Sequence, residues 1–222
     1  MQLPLYGLVA ASSTLIPPFA GAFRFKQLDF DLKIFFALTM FNALWVLGQF
    51  ITVIMGKNNI WMSHVYVYLE LLTFLELYRR WDRSELGRSI IVLTMIGYSL
   101  FWLASKVFYE NFLTPSLYAS PTSRVLLVVS SIYAMYLLAR DSMQPLHKEP
   151  RFWISATTLI YAAGAVMFYA LQAIINRMPM DQIVNVYYVY WSFTILIQLS
   201  YCWVFLCKSS RVNSGGRLVS AL

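Results

Sequence analysis

The chain has 222 residues, 59% of them hydrophobic and only 12% charged, with a formal net charge of +7. A soluble globular chain carries about 25% charged residues, so half the usual surface polarity is missing and a soluble domain is excluded as the main architecture. The surplus of Lys and Arg reads as loop charge beside anionic lipid rather than a nucleic-acid surface, so the expected partner is a lipid bilayer and not nucleic acid.

Seven apolar stretches, each long enough to cross about 30 Å of hydrocarbon, follow one another along the chain. They lie near residues 3–23, 34–55, 60–78, 89–107, 122–139, 152–175 and 184–207. The connections are short and carry breakers: Gly56-Lys57-Asn58-Asn59, then Pro115 and Pro121, Pro145 and Pro150, and Pro179. The expected fold is an all-α membrane protein, a single seven-helix transmembrane bundle over residues 1–208. Residues 209–222 are basic and Gly/Ser-rich and read as a disordered cytoplasmic tail.

Charge sets the expected orientation. Arg24, Lys26, Lys33, Arg79, Arg80, Arg83, Arg88, Arg140, Lys148, Arg151, Lys208, Arg211 and Arg217 fall on one side of the spans. Only Lys57, Lys106, Arg124 and Arg177 fall on the other. Thirteen against four places the richer side in the cytoplasm, the N-terminus outside and the C-terminus inside. The first span reads as an anchor and not a cleaved signal, because residues 1–13 carry no charge and Arg24 and Lys26 follow it. Cys202 and Cys207 lie five residues apart on the last helix, toward the reducing side, and read as packing residues. A shift of 121 residues lays His64-Val65-Tyr66 on Asn185-Val186-Tyr187. That register is compatible with parallel three-helix repeats around a linking fourth helix, the 3+1+3 arrangement of SWEET-type sugar transporters and microbial rhodopsins.

Polar side chains inside the spans mark the candidate site. The third span carries Asn59, Ser63, Tyr66, Glu70 and Thr73 on one helical face, and the second carries Asn42, Trp45, Gln49 and Thr52. The seventh offers Tyr187, Trp191, Thr194, Gln198 and Tyr201, and the sixth Thr158, Tyr161 and Gln172. Such stripes must face protein or water, either as interhelical hydrogen bonds or as the lining of a shared pocket in the outer half. The ligand-binding candidates are Glu70, Tyr66, Gln49, Asn42, Trp191, Tyr187, Tyr161 and Gln198, with His64, Trp61 and Arg124 as secondary candidates.

Glu70 lies about 15 Å below the outer boundary, with no cation on its own helix within reach. Desolvation favours its neutral form unless a partner ionises it, and the alternative is a structural hydrogen bond to Tyr66, Asn42 or Gln49. Glu76, followed by Arg79 and Arg80, reads as a surface ion pair. His64 and His147 are the two histidines and fall at different levels, so no metal site is expected. Trp61, Tyr109, Tyr118, Trp81 and Trp153 read as interfacial belt residues. No lysine lies between residues 184 and 207, which excludes a Schiff base on that helix, and no phosphate loop or nucleophile–base pairing appears. Neither a cofactor nor an enzymatic activity is expected.

Arg24-Phe25-Lys26, Asn58-Asn59-Ile60-Trp61 with His64, Tyr66 and Glu70, Arg124, and Pro150-Arg151-Phe152-Trp153-Ile154 with Leu159-Ile160-Tyr161 and Gly164 form a pattern spread over nearly the whole chain. It resembles small uncharacterised bacterial seven-helix membrane proteins. The resemblance implies a topology and a bacterial inner membrane, and it implies no activity. The residues lead to a sensor or ligand-binding membrane protein. A small uncharged or cationic ligand would enter from outside to meet Glu70, and a signalling partner would dock on the basic loops at Arg79, Arg80 and Arg83. The alternatives are a small-molecule or proton-coupled transporter, which real 3+1+3 symmetry favours, and a structural or assembly subunit.

Overall fold

The computed structural model describes residues 5–141, 145–175 and 178–207, with side chains excluded at 172–175, 180 and 181. The segment 209–222, expected as a tail, lies outside the described residues, as does the side chain of Gln172. The described residues are helical, with no strand among them. In chain order the helices are α1 (Leu5–Ser13), α2 (Ile16–Phe23), α3 (Phe30–Ile54), α4 (Ile60–Trp81), α5 (Glu85–Phe108), α6 (Ala119–Asp141), α7 (Pro150–Ile175) and α8 (Met180–Leu206). Six stretches are long and apolar enough to cross a membrane: α1 with α2, α3, α5, α6, α7 and α8. The chain is an integral membrane protein.

The first apolar stretch breaks at Thr14 and Leu15. Pro17 and Pro18 have no N–H to give to the carbonyls of Ser13 and Thr14, so the α-helical ladder cannot continue. The hydroxyls of Ser13 and Thr14 instead bond backward to Ala10 O at 2.6 Å and Ala11 O at 2.7 Å. At the start of α3 the helix begins earlier than its apolar run, because the Asp29 side chain accepts from Leu32 N at 2.8 Å and caps it.

α4 is the helix that falls short of the hydropathy needed for a span, and it is also the most enclosed. Glu70, Glu76, Arg79, Arg80 and His64 lower its hydropathy, while Leu71, Phe74, Leu75, Leu77 and Tyr78 are all buried. A helix with polar groups at this depth must turn them toward protein, which puts it inside the bundle. α4 packs against α3, α5 and α6. The remaining contacts close a cycle: α6 packs on α7, α7 on α8, α8 on α1 and α2, and α2 on α3. α5 stands outside that cycle, on α4 and against the edge of α6. Its Leu86, Leu93, Leu100 and Val107, one every seven residues, form an exposed apolar stripe suited to lipid.

Small and hydroxylated residues let α6 and α7 approach closely: Ser123, Ser131, Ala134, Ser155, Thr158 and Ala162 are all buried. Tyr78 OH pairs with Ser131 Oγ at 2.9 Å and Thr158 Oγ1 with Tyr201 OH at 3.0 Å, joining α4 to α6 and α7 to α8. At the basic end, Arg24 donates to the Phe205 and Leu206 carbonyls at 2.9 and 2.8 Å, satisfying the C-terminus of α8. Trp81, expected in an interfacial belt, is instead buried and donates to Asp31 Oδ2 at 3.0 Å. Glu76 pairs with Arg79 at 2.7 Å and Arg80 at 2.9 Å.

The turn between α4 and α5 is built on Asp82. Its carboxylate accepts from Ser84 N at 2.8 Å, Ser84 Oγ at 2.9 Å and Tyr133 OH at 2.6 Å. Burial raises the Asp82 pKa, but the Tyr133 and Ser84 hydrogen bonds outweigh it and leave the carboxyl below its ordinary value. A Cβ at Gly87 would overlap that carboxylate and lie 2.6 Å from Tyr133 OH, whereas one at Gly97 would meet nothing within 4 Å. Gly→Ala in an open helix normally stabilises by about 0.5–1 kcal/mol. Gly97→Ala should therefore raise the Tm of the detergent-solubilised protein slightly, while Gly87→Ala should destabilise it by about 2 kcal/mol. Equal effects at the two positions in thermal unfolding would refute the role given to Asp82.

Candidate functional site: a buried ion pair between α4 and α6

Glu70 and Arg124 form an ion pair across the α4–α6 contact, with side chains 5% and 4% exposed. Both carboxylate oxygens are engaged. Oε2 takes the Arg124 Nη1 donor, and Oε1 accepts from Tyr66 OH at 3.0 Å, one helical turn earlier on α4. The face of Tyr161 on α7 lies under the guanidinium, 4.8 Å from Cζ to the ring centroid. Tyr169 on α7 and Tyr190 on α8 lie within electrostatic range of the pair. Arg124 Nε is fully buried and has no hydrogen-bond partner. A buried donor of a charged group left unmade is costly, so this atom marks unspent binding capacity.

Of the sequence candidates, the structure brings Glu70, Tyr66, Tyr161 and Arg124 together. The others lie elsewhere. Gln49 Nε2 donates to Ser63 Oγ at 3.3 Å, nearer the end of α4, and Asn42 is half-buried on α3. Trp191 packs with Tyr187, Tyr188 and Tyr6, against α1, and Tyr187 also meets Phe168 on α7. Trp61 is exposed and meets Trp45 edge-on, and Gln198 is buried on α8. The reason is rotational: stripes on α3 and α8 face their own neighbours in the cycle, and only the α4 stripe points at the α4–α6–α7 junction. Glu70 also has a cationic partner, which comes from α6 and not from its own helix. Arg124, counted above among loop charges, sits on a helix and is 3% exposed.

Arg124 reaches this depth because α6 starts low. Tyr98, ten residues before the end of α5, donates to Ala119 O at 3.1 Å, so α6 begins below the end of α5. Residues 109–118 bridge the gap by folding inward, and non-helical backbone there needs protein partners. Glu110 supplies them. Its Oε1 accepts from Tyr118 N at 2.6 Å and Ala119 N at 3.1 Å, and Ser116 Oγ donates to it at 3.0 Å before accepting from Ser120 N at 2.9 Å. Lys106 pairs with Glu110 one turn away and donates to His64 Nδ1 at 2.6 Å. His64 Nε2 therefore carries the hydrogen that reaches Thr114 O at 2.8 Å. This second cluster was missed in the sequence, although Lys106 and Glu110 at i, i+4 carried a signal for it.

Two surface concavities lie away from the pair, one beside residues 106–112 and one among Trp81, Arg83, Leu138, Asp141 and Arg151 at the basic end. Among the described residues, no three His, Cys, Asp or Glu side chains converge as metal ligands. No protein-family model, curated protein or solved structure matches the chain.

Two predictions follow from these clusters. Arg124 cannot release its proton, whereas Glu70 can accept one. Glu70→Gln should therefore destabilise the solubilised protein by about 3–5 kcal/mol and Arg124→Met by less, with the double variant returning close to wild type. A double variant as unstable as the sum of the singles would show that the two do not act as a pair.

At Glu110, burial raises the pKa, but Lys106 and the Tyr118 and Ala119 N–H groups together bring it down to about 2. A depressed carboxylate stabilises above its unfolded value near 4.5 and loses that contribution as pH falls through about 2. The stability gap between wild type and Glu110→Gln should thus be flat from pH 7 to about 5 and close on further acidification. A gap that widens with acid would contradict the capping geometry.

Proposed function

We propose that the chain is a seven-span carrier of a small solute, with its N-terminus outside, its C-terminus in the cytoplasm, and a binding centre at Glu70 and Arg124. The seventh span is α4, whose polarity is accounted for by its place inside the bundle. The thirteen-to-four charge ratio supports the orientation. Of the four charges on the poorer side, Lys106 and Arg124 are buried in pairs, which leaves that surface still less basic.

The observation that carries the reading is where the pair sits. The packing cycle divides into two runs of three spans, α1/α2–α3–α4 and α6–α7–α8, with α5 as the outlying connector. On this reading the cycle fits a 3+1+3 order, with seams at α4 with α6 and at α8 with α1 and α2. Carriers built of parallel repeats hold substrate near mid-membrane between the halves. Glu70 and Arg124 face each other across one such seam. The break between α1 and α2 borders the other seam and supplies the discontinuous helix common in such carriers. A sensor or ligand-binding protein, or a structural subunit, could use the same pair without moving.

Access from both sides separates these readings. In a chain with Cys202 and Cys207 replaced by Ser, Ser123→Cys puts a near-isosteric thiol beside Arg124. A membrane-impermeant thiol reagent should modify it slowly from either face of sealed vesicles. Modification from one face alone returns the sensor reading, and none from either face returns the structural one. For topology, a reporter active only in the cytoplasm should work after Leu222 and fail before Met1; activity at both ends would remove the seven-span arrangement.

A further inference from the structure

We infer that the Glu70–Arg124 centre takes a small monocarboxylate together with one proton; this rests on the carrier reading above and names its substrate class. The inference comes from what an incoming charge would do to the pair. A cation entering would compete with Arg124 for Glu70 and leave two positive charges facing one carboxylate. Arg124 has no proton to give up, so that excess stays in a low-dielectric site. A neutral ligand offers no charge to exchange for either partner of a charge-assisted bond. An anion instead competes with Glu70 for Arg124, and its excess charge is removable, because one of two carboxylates sharing a site takes a proton.

The balance is simple. Outside, the centre holds Glu70 as carboxylate on Arg124, and the ligand arrives as RCOO⁻ with one H⁺ from solution. In the loaded centre RCOO⁻ sits on Arg124, an O–H bond has formed on Glu70, and the Arg124–Glu70 ion pair is broken. The centre carries one cation and one anion before and after. The ionisable groups within electrostatic range of the pair are Tyr66 on α4, Tyr98 on α5, Tyr161 and Tyr169 on α7, and Tyr190 and Tyr201 on α8. Tyr66, Tyr98 and Tyr201 already bond Glu70, the Ala119 carbonyl and Thr158, and the other three are phenols suited to acceptor oxygens.

The surplus of donors over acceptors points the same way. Glu70 is fully satisfied by Tyr66 and Arg124, while Arg124 Nε has no partner. A carboxylate placed on the guanidinium fork could engage Nε and an Nη together, the bidentate geometry that this side chain favours. Tyr66, released from the ionised acid, would remain within reach of protonated Glu70.

The test uses the full chain in lipid nanodiscs, with acetate, lactate and benzoate as probes and acetamide, lactamide, benzamide and benzylamine as controls. At least one carboxylate should bind at pH 5 and raise the melting temperature where its amide does not. Its apparent Kd should rise about tenfold per pH unit while one proton is taken up per ligand. In Glu70→Gln the carboxylate should bind without that pH slope and recover much of the variant's lost stability, because the amide mimics the protonated acid. Glu70→Gln/Arg124→Met, which leaves no buried charge at this centre, should fold and bind none of the probes. Carboxylate binding no better than amide binding, a slope unchanged in Glu70→Gln, or binding that survives in the double variant would each overturn the inference. Benzylamine or amide binding lost on the double substitution would overturn the substrate class and leave the centre intact. Carboxylate binding without two-sided access at Ser123→Cys would keep the class and sink the carrier.

Discussion

One acid and one base sealed between helices α4 and α6 constrain the rest of the molecule. Neither Glu70 nor Arg124 can face lipid, and neither can be left without the other, because an isolated charge in hydrocarbon is worth several kcal/mol of destabilisation. α4 therefore cannot lie at the periphery. It takes the interior position with buried Leu71, Phe74, Leu75 and Tyr78 around it, and the apolar, linker-like α5 takes the outside. A helix that hydropathy alone would discard becomes the one about which the others are arranged.

Meeting the acid also fixes where α6 must begin. A basic residue five positions into a helix that started at the membrane surface would lie near the headgroups. The inward fold of residues 109–118 lowers the start of α6, and Glu110 makes that lowered start tenable by accepting from its first free N–H groups. Lys106 compensates Glu110, and His64 carries the contact back to α4. The two charged clusters are thus one construction. The upper one sets the depth of α6, and the lower one uses that depth to bring Arg124 to Glu70.

Much of this was legible in the chain, and the failures have physical causes. Apolar length found seven helical stretches, α4 among them, and helical spacing put Tyr66 and Glu70 on one face of α4. The pairing of Glu70 was not legible, because a cation on another helix leaves no periodic trace, even though Arg124 lies within the fifth apolar stretch and stood among the secondary candidates. Gln49, Trp191 and Tyr187 were read as facing Glu70 because one sequence gives each helix a polar face without the angle at which that face is turned. The break in the first span was written in Pro17 and Pro18, yet mean hydropathy runs straight across it. Trp81 shows the same limit: an indole at a helix end fits a lipid belt or a buried bond to Asp31 equally well.

The two seams of the cycle are chemically unlike, and on the proposed reading that difference decides which one opens under control. Where α8 meets α1 the other seam has aromatic edges and a hydroxyl pair, with Tyr6 on Tyr188 and Trp191, Tyr6 OH to Ser192 Oγ at 2.8 Å, and Gly7 giving room to the Trp191 ring. Arg24, at the end of α2, bonds the α8 carbonyls of Phe205 and Leu206. The ring contacts change little in free energy as rings slide, so the seam acts as a bearing. The α4–α6 seam is held by a charge pair whose strength depends on whether Glu70 carries its proton. Only that seam can tell a loaded centre from an empty one. Motion of one half on the other would then be limited by the pair, and the break between α1 and α2 would absorb the bending at the far side.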